Sequence, residues 1–221
     1  VPARAASTPA STSAAAPAPG PDDQPAPRRQ FTARTEGPAG LILTPGAGAG
    51  RDNRTLVTLE QKLSPLPCRR LDFPYRTAGK KMPDRPPVAV SFLREQAGAF
   101  AAELGVPGDR LLLGGRSYGG RMCSMAVAEG VPAAGLVLLS YPLHPPGKPE
   151  NLRIAHFPDI TVPVLFVSGR ADPFGTPDEF EHHVAAIPAR VTVTWVNGGH
   201  SPTADGLVAE LVAEWIAGLP A

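Results

Sequence analysis

Three leucines, Leu111-Leu112-Leu113, run directly into Gly114-Gly115-Arg116-Ser117-Tyr118-Gly119-Gly120-Arg121. A short apolar run closed by glycines reads as the end of a buried strand, and Met122 to Glu129 reads as the helix leaving the turn. The serine between them is forced onto a sharp bend, where flanking glycines remove the Cβ atoms that would otherwise clash. A strand–turn–helix unit cannot stand alone. It requires neighbouring strands and helices from the rest of the chain.

The sequence supplies them in alternation. Gly40 to Thr44 reads as a buried strand, and Asp52 or Asn53 caps a helix carrying Leu56, Leu59 and Leu63 on one face. Arg69 to Phe73 is a second strand candidate, followed by a Pro-rich basic loop from Pro74 to Pro87. Leu93, Ala97, Phe100 and Leu104 keep helical register until Gly105 and Pro107 stop them. Gly135 to Ser140 and Val164 to Val167 are almost uniformly apolar, as central parallel strands should be. Val191 to Val196 reads as the last strand, and Leu207, Leu211 and Trp215 form one stripe of the final helix. With Phe31 to Thr35 as a short edge strand, about seven strands are expected. Strands spaced by helices define βαβ units. The fold class is therefore α/β, a mostly parallel sheet with right-handed crossovers and helices on both faces.

Composition narrows the partners. The chain has 221 residues, 43% hydrophobic and 19% charged, with a formal net charge of +1. That suits one domain, expected over residues 30–221, and gives no electrostatic argument for nucleic acid or an anionic membrane. No apolar run approaches the roughly 20 residues of a membrane span. Residues 1–29 hold Ala, Pro, Ser and Thr but no Leu, Ile, Phe or Trp. Such a segment is expected to be disordered, since it cannot bury enough apolar area to offset its ordering entropy. Ala14-Ala15-Ala16, broken by Pro17, does not make the apolar stretch of a secretory signal. Cys68 and Cys123 are far apart, match no zinc spacing and read as buried free thiols, compatible with a reducing cytoplasm.

In sheets of this kind chemistry sits beyond the carboxyl ends of the strands. Ser117 is at one such end, but a serine hydroxyl needs a base within reach and a third group to orient that base. Val164–Val167 runs into Asp172, and Val191–Val196 runs into Asn197-Gly198-Gly199-His200. Ser, then Asp, then His is the chain order of a nucleophile elbow with its partners. Bland readings exist: Asp172 as a helix cap, a place Thr176 fills better, and His200 as a turn residue. His182 and His183 read as a solvated helix face among acids, while His144 and His156 fall in the connection from Tyr141 to Thr161. Oxyanion donors would be the amides of Tyr118 and, in the glycine loop Thr44 to Gly50, of Ala47. That loop has a rival reading, a dinucleotide fingerprint at Gly46-x-Gly48 with Asp72 on the ribose. Arg51, however, stands where the third glycine belongs.

These residues resemble the α/β-hydrolase superfamily near its dienelactone-hydrolase-like branch. Further stretches are similar to the small hydrolase-like domain shared by a testis-expressed predicted hydrolase and a non-specific-lethal chromatin complex subunit. They are Phe73-Pro74-Tyr75-Arg76, the Gly114–Met122 elbow, Ser140-Tyr141-Pro142-Leu143-His144-Pro145-Pro146-Gly147 and Asp172-Pro173-Phe174-Gly175. The chain departs where many relatives have His-Gly and it has Pro45-Gly46. The resemblance implies an α/β-hydrolase fold more firmly than a reaction; the order Ser117, Asp172, His200 points to cleavage of an ester or thioester of a small acyl substrate, for which no metal or organic cofactor is needed. It also carries an alternative, a catalytically silent interaction domain, because the chromatin subunit is thought to act as a scaffold. The Tyr141–Thr161 connection is too short for a lid domain, so the Pro74–Pro87 loop is a candidate cover. Its Arg76, Lys80, Lys81 and Arg85 read as solvated charge, and Arg116 as packing or pairing near the turn.

Overall fold

The computed structural model describes Val1 and residues 37–220. The expected Phe31–Thr35 strand and residues 2–29 of the expected tail lie outside these residues.

Alternate residues of a strand face opposite sides of a sheet, so a strand buried on both faces must be apolar throughout. Four strands follow that rule except near their carboxyl ends, where Thr44, Arg116 and Ser168 stand: β1 (Gly40–Thr44), β3 (Leu111–Arg116), β4 (Gly135–Leu139) and β5 (Val164–Gly169). Ile42, Leu113, Leu136 and Phe166 enter one core; Leu41, Leu112, Val137 and Leu165 enter the other. Each such side chain, fully buried, contributes about 1.5–3 kcal/mol relative to exposure. The first core is covered by α3 (Pro86–Leu104) and α4 (Tyr118–Ala128), with Phe180 of α5 (Pro177–Val184). The second is covered by α1 (Arg54–Lys62) and α6 (Asp205–Ala217), which pack on each other.

With β2 (Cys68–Arg70) and β6 (Val191–Val196), the sheet order is β2-β1-β3-β4-β5-β6, all pairs parallel. Six strands, rather than about seven, make up the sheet among the described residues. After β2 the chain reverses direction across the sheet and inserts β3 on the far side of β1. The carboxyl ends of β1 and β3 therefore flank a topological switch point, where open α/β sheets leave a crevice.

Three expectations need correction. The second strand is only Cys68–Arg70, because β2 pairs with β1 over Leu41–Leu43 alone before the chain turns away. Its two arginines divide between the faces. Arg69 pairs with Glu103 and lies over the Phe100 ring, while Arg70 reaches Glu60 and Asp52. The Pro74–Pro87 loop contains a one-turn helix, α2 (Pro74–Thr77), and yields to α3 at Pro86. Proline is pre-set for the first turn in both. Finally, α6 buries Val208, Val212 and Trp215, leaving Leu207 exposed. That helix is apolar nearly all round, so its periodicity does not define one face.

Candidate active site

The turn between β3 and α4 is a single residue, Ser117, at φ 50° and ψ −116°. A non-glycine residue there costs about 1–3 kcal/mol, and the surroundings hold it in place. Ser117 N–H donates to the Leu139 carbonyl at 2.8 Å, pinning the bend to β4. On the other side the bend is pressed against the end of β1. A Cβ on Gly115 would come within 2.0 Å of Thr44 Oγ1, and one on Gly119 within 2.5 Å of the same atom. No side chain larger than hydrogen fits at either place. This close approach brings the Pro45-Gly46-Ala47 loop beside Ser117.

His200 and Asp172 arrive from β6 and β5. His200 Nε2 lies 2.8 Å from Ser117 Oγ, and Nδ1 lies 2.8 Å and 3.1 Å from the two Asp172 oxygens. A carboxylate only accepts, so a neutral ring carries its proton on Nδ1 and presents Nε2 as acceptor for the serine O–H. Asp172 is 2% exposed and also accepts the Phe174 N–H at 2.9 Å. The Phe174 ring stacks on the imidazole, centroids 4.0 Å apart and 29° from parallel. Arg170 N–H donates to Val196 O and Ala171 N–H to Gly198 O, lacing the two loops together. Arg116, beside the serine, donates to the His200 carbonyl at 2.6 Å and to Ser201 Oγ. Its expected pairing near the turn is thus with the loop that presents the histidine.

A cavity of about 490 Å³ opens over Ser117 and His200. Ala47 and Tyr118 both line it, and the N–H groups of these two residues meet no acceptor among the described residues. The Pro74–Pro87 loop contributes Pro83 to its wall, whereas Arg76, Lys80, Lys81 and Arg85 do not line it. The Tyr118 hydroxyl donates to Asp84 O at 2.8 Å and ties that loop to the elbow helix. Burial, then Asp84 and Tyr75, hold the Tyr118 phenol far above its ordinary pKa, so it stays a donor.

The other sequence candidates stand elsewhere. Thr176, not Asp172, caps α5, through a reciprocal capping box with Glu179. His182 and His183 lie on α5, the first exposed. His144 is buried near Glu179. Ser124 O–H donates to Arg121 O, so His156 Nε2–H donates to Ser124 Oγ, at 2.8 Å. Burial, reinforced by the charge of Arg121, pushes the His156 pKa down to about 4. Asp72 accepts the Arg51 N–H at 2.8 Å and faces that residue's guanidinium, an employment unrelated to a ribose. Cys68 and Cys123 are free thiols, raised by burial to about 11 and 12 respectively; Cys123 is buried and Cys68 only half-buried. Sequence reasoning missed the Phe174 stack and the two arginines, Arg121 and Arg153, that line the cavity. Arg121 stands one helical turn after Ser117, which was the available signal.

Fold and site together define a hydrolase-type α/β sheet with its elbow at the switch point. Residues 37–204 match the family of the alpha/beta hydrolase domain, and the chain belongs to that family. Solved structures agree on the fold. A protein from Xanthomonas campestris pv. campestris assigned to the alpha/beta hydrolase superfamily is 24% identical over 82% of this chain and 99% of its own, with a TM-score of 0.62. Dienelactone hydrolase from Anabaena variabilis is 18% identical over 84% and 88%, TM-score 0.66. A Bacillus cereus carboxylesterase is 20% identical over 81% and 88%, TM-score 0.56. Among the described residues no helix is long and apolar enough to cross a membrane.

Proposed function

We propose that this chain is a serine hydrolase that transfers the acyl group of an ester or thioester to water. The observation that carries the reading is the continuous hydrogen-bonded line from Ser117 Oγ through His200 to the buried Asp172, with the serine on a strained bend. Ser117 Oγ attacks the carbonyl carbon while His200 Nε2 takes the hydroxyl proton. Asp172 holds the ring in its tautomer and stabilises the imidazolium. The oxyanion forms beside the N–H groups of Tyr118 and Ala47. Collapse breaks the bond to the leaving alcohol or thiol, which receives the proton from His200. Water, activated by the same nitrogen, then attacks the acyl-serine; the acid departs and the serine regains its proton.

The relationship to the small hydrolase-like domain of the chromatin subunit and the testis-expressed protein is part of this proposal. Its support is spatial: the four shared stretches gather at one place. Phe73 and Tyr75 pack edge-on against Tyr118, Pro142 lines the cavity, and Phe174 stacks on His200.

A fluorophosphonate probe, which phosphonylates activated serines, tests the reading. Wild-type protein should label and Ser117→Ala should not. A wild type that fails to label, or labelling that survives the substitution, would refute it and leave an interaction domain as the account of the fold.

A further inference from the structure

We propose that Arg121 and Arg153 form an anion subsite in the Ser117 cavity, selecting esters that carry a carboxylate or phosphate a few bonds from the attacked carbonyl. The inference rests on the hydrolase reading and extends it to a substrate class.

Three arginines line the cavity, Arg116, Arg121 and Arg153, and no aspartate or glutamate does. Arg116 is already engaged, on the His200 carbonyl and the Ser201 hydroxyl. The guanidinium groups of Arg121 and Arg153 make no hydrogen bond or ion pair with any described residue, and Arg121 Nε is fully buried without a partner. Nearby acids are committed elsewhere: Asp172 to His200 and the Phe174 N–H, Asp84 to the Tyr75 N–H. Arg121 and Arg153 line the same cavity, and burial, followed by the like charge of Arg121, lowers the pKa of Arg153. Proteins rarely keep half-buried cations together without an anion to share. The walls add Pro83, Pro142 and Phe174, which exclude water and strengthen any charge contact made there.

Arg121 N–H donates to Ser117 O at 3.0 Å, so this arginine follows the serine by one turn at the start of α4. Arg153 comes from the β4–β5 connection and closes the same space. Two planar guanidinium forks match the oxygen edges of a carboxylate or a phosphate, which a single surface lysine does not. With both arginines on the walls of the cavity that holds Ser117, a compact acidic ester suits the arrangement.

The test compares the nitrophenyl ester of adipic acid, with its free terminal carboxylate, and the nitrophenyl ester of monomethyl adipate, which is uncharged. Wild-type kcat/KM should favour the acid by about 10- to 100-fold, mostly through KM. The ratio should fall towards one in Arg121→Gln/Arg153→Gln and recover in part in Arg121→Lys/Arg153→Lys. In parallel, Ser117→Ala protein is titrated calorimetrically with adipate and with inorganic phosphate. Binding of either at about 1 mM or tighter, weakened at least tenfold by the double Gln substitution, supports the subsite, and the tighter of the two names its anion. A wild-type ratio of one or below, a ratio unchanged in a double Gln variant of wild-type thermal midpoint, or no binding of either anion overturns it. Loss of the hydrolase reading would look different: neither ester would be cleaved in a Ser117-dependent way, while the titration would still decide the subsite.

Discussion

Two hollows of similar size open beyond the carboxyl ends of the strands, about 530 Å³ beside Asp72 and about 490 Å³ over Ser117. In the first, opposite charges pair, with only the Arg76 guanidinium left without a partner among the described residues. Arg51 and Asp72 are joined, and Asp52 is held by Arg70. In the second, Arg121 and Arg153 meet no carboxylate, the Ser117 hydroxyl faces a ring nitrogen, and a bent backbone is held under strain. Volume does not distinguish them. What separates a candidate site from a surface groove is polar capacity left unspent, since a groove whose groups satisfy one another offers a ligand little to gain.

The sharpest way to break the comparison is to remove the proposed nucleophile from the second hollow. Ser117→Ala should lower ester turnover by about 10⁴- to 10⁶-fold, read as kcat at saturating substrate. Asp172→Asn should cost about 10³- to 10⁴-fold in the same assay, by favouring the wrong histidine tautomer. A loss under tenfold would mean that another group orients His200. Gly115→Ala acts on the frame instead. The added methyl meets Thr44, and urea unfolding should show a cost of about 3 kcal/mol or more; a cost below about 1 kcal/mol would show that β1 yields easily.

Beneath the second hollow, His156 is held neutral, its pKa near 4 against an ordinary 6.5. Between those values the unfolded chain binds the extra proton, so stability rises with pH there. It is fully present above about pH 6.5 and is lost progressively as pH falls towards 4, by about 1–2 kcal/mol. His156→Gln should flatten that part of the wild-type stability profile. The smallest effect belongs to the first hollow. Asp72→Asn removes a half-exposed pair and should cost under about 1 kcal/mol, with fluorophosphonate labelling rates within about twofold of wild type. A large loss of labelling would erase the distinction between the two hollows.

Much of this was legible in the residues because burial on both faces leaves a plain mark. Leu136 to Leu139 and Val164 to Val167 are short apolar runs of strand length, and both form central strands. The strand-end rule then led from Ser117 to Asp172 and His200, which the fold brings within hydrogen-bond distance of one another. Other features carried no such mark. Leu207 and Val208 both sit on acceptable stripes of an apolar helix, and only packing against α1 chooses between them. Arg121 and Arg153 look like any surface cations in one dimension. That they face the same space without a partner is a property of the fold, as is the ring of Phe174 lying flat on His200.

The hydrogen bond between Ser117 and His200 spans 83 residues, and the histidine follows the last strand of the sheet. Closing so long a loop is slow, because its entropy must be met before the contact gives anything back. The elbow can be made by local segments long before His200 is in place. During synthesis or refolding Ser117 therefore lacks its hydrogen bond to His200 until β6 docks. Recovery of probe labelling after dilution from denaturant should trail the return of helical circular dichroism, making the site its own reporter of completed assembly.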